Sequence, residues 1–172
     1  MTTKPIFSRM APSALLAGIA LCCAAGAALA QTPPVPQYGT NINHELARKV
    51  VAAAIAESRK QNLPMAVAVV DNSGQLVAFE RMDNTQTAST GISQDKALSS
   101  AMYRRPTKVF QDVLAAGGVG LRVLTLRGAN AVEGGVPLIV DGKIIGGLGI
   151  SGGTSEQDGT VAKAGAEGLA AK

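Results

Sequence analysis

Large aromatic side chains, histidine and cysteine are scarce in this chain of 172 residues. It has no tryptophan, two tyrosines, three phenylalanines, one histidine and two cysteines. A single histidine excludes the histidine pairs of common metal cages, and the carboxylates do not follow the spacing of a calcium loop. A serine hydrolase triad is also disfavoured, because His44 stands alone and no G-x-S-x-G motif occurs. The core must therefore be built mainly from Ala, Val, Leu and Ile.

The first residues are typical of a bacterial export signal. Lys4 and Arg9 give a positive start, and an apolar run follows over residues 14–25. Ala28-Leu29-Ala30 has the A-x-A form of a cleavage site. A membrane-spanning helix needs ~20 apolar residues, so this run is too short to be an anchor. We predict a signal peptide at residues 1–30 and a periplasmic or secreted mature protein without a membrane span.

Cleavage before Gln31 removes both cysteines, since Cys22 and Cys23 lie in the predicted signal. The residues before Cys22 do not form a lipoprotein motif. The mature chain can then hold no disulfide, thiolate nucleophile or cysteine-ligated metal. Cleavage also lowers the formal net charge from +4 to +2, because two basic residues and no acidic residue are lost. With few aromatic side chains and no basic cluster larger than a pair such as Arg104-Arg105, the chain is not predicted to bind nucleic acid.

After a proline-rich leader at residues 31–41, the pattern predicts one α+β domain over residues 42–172. Asp71-Asn72-Ser73-Gly74 and Asp141-Gly142 each separate two apolar runs and predict two hairpins. Residues 121–126 fit either a strand or a loop. Two hairpins with helices before, between and after them indicate an antiparallel sheet with packed helices. The predicted helices cover residues 43–61, 89–103, 107–116 and 154–171, and the predicted strands cover residues 65–70, 75–80, 136–140 and 143–150.

Residues 147–152 spell the G-x-G-x-x-G pattern of dinucleotide-binding proteins. The context does not fit, because a Rossmann unit needs another strand after the helix, with an acidic residue about twenty positions on. The simplest interpretation is that these glycines allow a strand and a helix to pack closely. A functional interpretation remains: N–H groups at Gly152 and Gly153, before a predicted helix, hold a carboxylate or another anion.

A few other side chains are candidates for ligand binding. Neutral imidazole commonly ligates haem iron, which makes His44 a candidate metal ligand, although a solvated residue at a helix start is the plainer alternative. Met82 is a second candidate iron ligand. Lys96 and Arg105 are candidate partners for haem propionates. Each also has an ordinary explanation in the core, on a helix surface or in a salt bridge.

Several sequence blocks together resemble the GlcG/HbpS-like haem-binding family, which is itself similar to the C-terminal domain of some corrinoid adenosyltransferases. The resemblance covers roughly residues 42–170. It implies a profilin-like α+β fold with a five-stranded antiparallel sheet, homo-oligomers, and haem as the ligand of some members. It implies no shared catalytic residue. The blocks are VDNSGQLVAFERMD at 70–83, Ser93-x-x-Lys96-Ala97, GGVPLIVDG at 134–142, IGGLGISGG at 145–153 and Gln157-Asp158.

One position departs from the pattern of that family. Ile42-Asn43-His44-Glu45 places a histidine where an apolar residue is usual. His44 is therefore either an acquired ligand or a neutral substitution.

The leading hypothesis is an exported, non-catalytic homo-oligomer that binds haem or a related tetrapyrrole. One alternative is a periplasmic enzyme or enzyme accessory that acts on a small organic acid held at the Gly152-Gly153 helix start. A structural subunit that only mediates assembly is another alternative.

Overall fold

The structure is a computed structural model that describes residues 1–2 and 34–170. The predicted signal sequence from residue 3 onward lies outside the described residues. The domain from residue 34 contains, in chain order, β1 (Gln37–Tyr38), α1 (His44–Lys60), β2 (Ala66–Asp71), β3 (Leu76–Arg81), α2 (Ser89–Tyr103), α3 (Lys108–Ala115), a 3₁₀-helix (Gly118–Thr125), β4 (Gly135–Val140), β5 (Lys143–Ser151), α4 (Ser155–Glu167) and a terminal 3₁₀-turn (Gly168–Ala170).

The sheet has five strands and is organised around β5. This strand pairs antiparallel with β4 along one edge and with β2 along the other, and β3 completes the sheet beside β2. The α+β fold with five strands is confirmed, but the prediction of a purely antiparallel sheet is wrong. The short strand β1 runs parallel to β5, with Gln37 opposite Lys143 and Tyr38 opposite Ile144.

The parallel strand has a simple cause in backbone hydrogen bonding. The pairing of β2 with β5 ends at Gly146, which leaves the first residues of β5 without a neighbour on that side. Buried backbone groups need partners, and the leader supplies them. The Gly39 N–H donates to the Ile144 carbonyl and the Ile42 N–H donates to the Ile145 carbonyl, each at 2.7 Å.

Helices cover both faces of the sheet. On one face, α1 and α4 pack over side chains of β2 and β5, and this is the larger apolar core. On the other face, α2 packs against Ala68 and Val70 of β2 through its own Ala97 and Ala101. Among the core residues of the first face are Val50, Ala54, Val67, Val69, Leu148, Ile150, Val161 and Ala162.

Glycines bring α2 into close contact with the sheet. A Cβ on Gly147 would overlap the carbonyl oxygen of Ala97, and one on Gly149 would overlap that of Ser93. A Cβ on Gly135 of β4 would likewise overlap the carbonyl oxygen of Lys96. The first two glycines of the G-x-G-x-x-G pattern are thus accounted for by packing of a helix on a strand, whereas a Cβ on Gly152 would overlap the carbonyl oxygen of Pro64.

The local signals in the sequence are largely confirmed. The Asn43 side chain accepts a hydrogen bond from the Leu46 N–H (2.9 Å) and caps α1, while Thr154 and Gln157 form the predicted capping box of α4. Both residues of the Asp141-Gly142 turn have positive φ, as a type I′ hairpin requires. The segment 121–126, for which strand and loop were both open, lies mostly in the 3₁₀-helix.

The close contact of α2 with β5 predicts that Gly149→Ala destabilises the fold. We expect the free energy of unfolding to fall by about 1–3 kcal/mol or more, because a methyl group forced into a full space strains its surroundings. Urea denaturation of the purified protein measures this.

Gly91→Ala is a matched control, because Gly91 lies in α2 and a Cβ there would meet no atom within 4 Å. This control is expected to stabilise the protein by roughly 0.5–1 kcal/mol, since alanine is the better helix former. Equal stability of the two variants would contradict the proposed role of Gly149.

Candidate functional site

A groove of about 410 Å³ lies between α1 and β3 and contains the only histidine of the chain. The cap at Asn43 makes His44 the first residue of α1. Residues four apart lie on the same side of a helix, so Arg48 follows His44 along the groove. Val51 continues this wall. The opposite wall is the run Val77–Glu80 of β3.

The groove combines polar ends with apolar walls. The His44 and Arg48 side chains are exposed, whereas Val51 is buried and Val77 is half-buried. Within residues 34–170, neither His44 nor Arg48 takes part in an ion pair. An imidazole and a guanidinium beside an apolar surface can together bind a flat, apolar molecule that carries a metal ion or carboxylates.

A second group of predicted site residues forms a buried ion pair. The Lys96 ammonium of α2 donates to Oδ2 of Asp158 in α4 at 2.6 Å and to the Ile150 carbonyl at 3.0 Å. The side chains of Lys96 and Asp158 are only 1% and 4% exposed. Burial lowers the pKa of Lys96 and raises the pKa of Asp158, and the attraction between the two groups opposes both effects.

The helix start after β5 belongs to the same network. The Gly153 N–H donates to Oδ1 of Asp158 (3.0 Å), and the Thr154 N–H donates to Oε1 of Gln157 (2.9 Å). These N–H groups therefore already have partners within the protein. Gly134 closes over the ion pair, because a Cβ there would lie 2.9 Å from the Lys96 ammonium and 2.7 Å from the Asp158 Cβ.

The remaining candidates lie elsewhere. Met82 is half-buried and packs against the larger core. Arg105 is exposed; its Nε donates to the Tyr103 carbonyl at 3.1 Å and its guanidinium lies 5.8 Å from the centre of the Phe110 ring. Of the six predicted site residues, His44 alone lines the groove.

The groove also contains residues that the sequence interpretation missed. Arg48 had a usable signal, since it stands one helical turn after His44. Val77 and Phe79 gave no such signal in the sequence, because only the packing of α1 against β3 brings them opposite the histidine. Among the residues that the structure describes, no cluster of His, Cys or carboxylate side chains could hold a metal ion, and no helix is long and apolar enough to cross a membrane.

The buried pair predicts a non-additive response to mutation. Lys96→Met alone should lower the free energy of unfolding by about 3–5 kcal/mol, because it leaves the Asp158 carboxylate buried without its counter-charge. Adding Asp158→Leu should restore most of this loss, since an apolar pair needs no desolvation of charges. Urea denaturation of the two single variants and the double variant measures the coupling free energy between the two side chains.

Lys108→Met serves as the control, because Lys108 pairs with Asp112 at 2.8 Å on the surface. Exposed pairs contribute little, so this variant should unfold almost like the unaltered protein. Strictly additive effects of Lys96→Met and Asp158→Leu would contradict the coupling.

Comparison with known proteins agrees with this architecture. The chain is 40% identical over 110 residues to Protein GlcG of Escherichia coli strain K12, which covers 64% of the chain and 81% of that protein. It is 32% identical over 122 residues to the corrinoid adenosyltransferase PduO of Salmonella typhimurium strain LT2, covering 70% of the chain and 35% of that protein.

Solved structures show the same fold. The crystal structure of Klebsiella pneumoniae protein ORFY superposes with a TM-score of 0.72 at 28% identity, covering 79% of this chain and 95% of that one. The crystal structure of a PduOC:heme complex gives a TM-score of 0.68 at 27% identity, covering 75% and 95%. The family model described as "Haem degrading protein HbpS-like" matches residues 42–167. The chain therefore belongs to the HbpS-like family.

Proposed function

We propose that this protein is an exported, non-catalytic binding protein for haem or a related tetrapyrrole, and that the groove between α1 and β3 is its binding site. The observation that carries the proposal is the position of His44 in a groove that also holds Arg48 and Phe79. The family and the haem-bound structural relative support haem as the ligand class. Self-association stays a prediction from the resemblance.

The residues of the groove fit a haem group. The His44 imidazole is exposed and would ligate the iron, while the Arg48 guanidinium would pair with a propionate. Val51, Val77 and Phe79 offer apolar contact to the macrocycle. Bound haem would supply iron-centred redox chemistry. Glu80 lies in the same groove, and its negative charge favours a ligand whose carboxylates are turned toward Arg48.

The contacts described above favour this site over an organic-acid site at Gly152-Gly153. There the Gly153 and Thr154 N–H groups are hydrogen-bonded to Asp158 and Gln157, so an incoming carboxylate would have to displace them. Lys96 is buried in the same network. The groove beside α1 requires no such displacement.

Haemin titration tests the proposed site. We expect the protein to shift the Soret band of haemin at micromolar concentration, and His44→Ala to abolish the shift by removing the iron ligand. Arg48→Gln should weaken binding roughly 10- to 150-fold, since hydrogen bonds to charged groups contribute roughly 1.5–3 kcal/mol. Arg59→Gln is the matched control, because Arg59 is exposed near the far end of α1 and does not line the groove.

The same titration can overturn the proposal in separate ways. Absence of any Soret shift would remove haem as the ligand, and an unchanged spectrum of His44→Ala would remove His44 as the iron ligand. Loss of the Soret band over time in the presence of oxygen and a reductant would show degradation of the bound haem. That result would replace the non-catalytic assignment with an enzymatic one.

Export is tested at the N-terminus of the protein from a bacterial host. Mass spectrometry of the periplasmic or secreted fraction should find a chain that begins at Gln31. Ala30→Tyr should leave the precursor uncleaved, because the cleavage site requires small residues. Ala24→Val, within the apolar run, is the control and should be processed normally. Full-length protein confined to the cytoplasm would contradict export.

A further inference from the structure

The 3₁₀-helix carries an exposed apolar surface that shares no residue with the proposed haem site. It consists of Val119, Leu121 and Leu124 in the 3₁₀-helix, and we call it the apolar tip. These side chains are 85%, 54% and 71% exposed. Side chains three apart align along a 3₁₀-helix, so Leu121 and Leu124 share one edge. Gly120 and Val123 form another edge, which is buried.

The 3₁₀-helix that carries the apolar tip is packed tightly against the rest of the domain. A Cβ on Gly120 would overlap the carbonyl oxygen of Val113, so the 3₁₀-helix lies directly against α3. Val123 is 4% exposed. The Thr125 hydroxyl donates to the Arg122 carbonyl at 2.8 Å, and the Leu126 N–H donates to the Val123 carbonyl at 3.1 Å. The exposed leucines are therefore held outward by local packing.

Positive charge accompanies the apolar tip. Between residues 97 and 132 there is one acidic residue, Asp112, and it pairs with Lys108. The four arginines of this stretch make no ion pair with any residue in the range 34–170. The arginines are Arg104, Arg105, Arg122 and Arg127. Arg104 is half-buried over the Tyr38 ring and Arg105 lies over the Phe110 ring, whereas Arg122 within the 3₁₀-helix and Arg127 just after it are exposed. The apolar tip is thus accompanied by two exposed cationic side chains.

The charge and the exposed apolar side chains decide which partner fits this surface. A second copy that used the same surface in a two-fold contact would bring its arginines toward those of the first copy, which is unfavourable. An anionic bilayer meets both requirements, because acyl chains accept the leucines and lipid phosphates pair with arginines.

We propose that the apolar tip and its arginines form a docking site for an anionic membrane surface. Leu121 and Leu124 enter the boundary between headgroups and acyl chains, and Arg122 and Arg127 lie at the level of the lipid phosphates. The domain then remains on the surface of the bilayer, attached by a reversible contact. This attachment is independent of haem, because no residue of the groove takes part.

Vesicle co-sedimentation of the mature chain that begins at Gln31 tests the proposal. The vesicles contain phosphatidylcholine with phosphatidylglycerol in one series and phosphatidylcholine alone in the other. We expect binding to the anionic vesicles, weakening as salt rises because the charges are screened. Arg122→Gln with Arg127→Gln should weaken binding about 25-fold, as each arginine near an anionic leaflet contributes about fivefold. Leu121→Ser with Leu124→Ser should weaken it as well.

Arg59→Gln and Leu76→Ser are the matched controls, since both positions are exposed outside this segment and should leave binding unchanged. Every variant begins at Gln31, so the basic and apolar residues of the predicted signal peptide do not contribute to binding, and a difference between variants reports on the apolar tip. Circular dichroism checks that each variant is folded.

Three outcomes would overturn the proposal. They are an absence of binding to anionic vesicles, equal binding by the double variants and the controls, and equal binding to both vesicle series. Light scattering provides a further decisive measurement. If the unaltered protein is an oligomer that Leu121→Ser with Leu124→Ser dissociates, the apolar tip is an interface between copies and the membrane assignment is wrong.

Discussion

The close contact between α2 and the central strand β5 is the constraint on which the rest of the domain depends. Glycines at 147 and 149 allow the helix backbone to approach the strand, and any larger side chain there would overlap helix carbonyl groups. This approach brings the Lys96 ammonium within reach of the Ile150 carbonyl and of Asp158. One contact thereby links a helix on one face of the sheet, the end of the central strand, and α4 on the other.

This arrangement separates the buried charged residues from the surface where a ligand can bind. Lys96 and Asp158 satisfy each other, and the glycine backbone beside them is closed by hydrogen bonds within the protein. A buried pair of this kind is strongly coupled, because each charge offsets the desolvation of the other. The exposed cations behave differently. Arg48 in the groove and Arg122 beside the apolar tip remain available to an anionic ligand or surface.

Much of the fold was predictable because its signals are local. The N-cap at Asn43, the capping box at Thr154 and the Asp141-Gly142 turn act over a few residues, and each appears where the sequence indicated. The parallel strand β1 was not predictable in this way. Its pairing depends on backbone groups of β5 that β2 leaves open, which is a property of the assembled sheet.

The sequence by itself determined the α+β architecture, the hairpins, the helix starts and the choice of His44 as a candidate ligand, since each follows from residue type and short-range spacing. Only the tertiary structure decided which candidates belong together. It placed Lys96 and Gly153 in a sealed network and set Val77 and Phe79 opposite His44. The reason is that burial and contact between residues distant in the chain arise from packing of whole elements, and local spacing does not encode them.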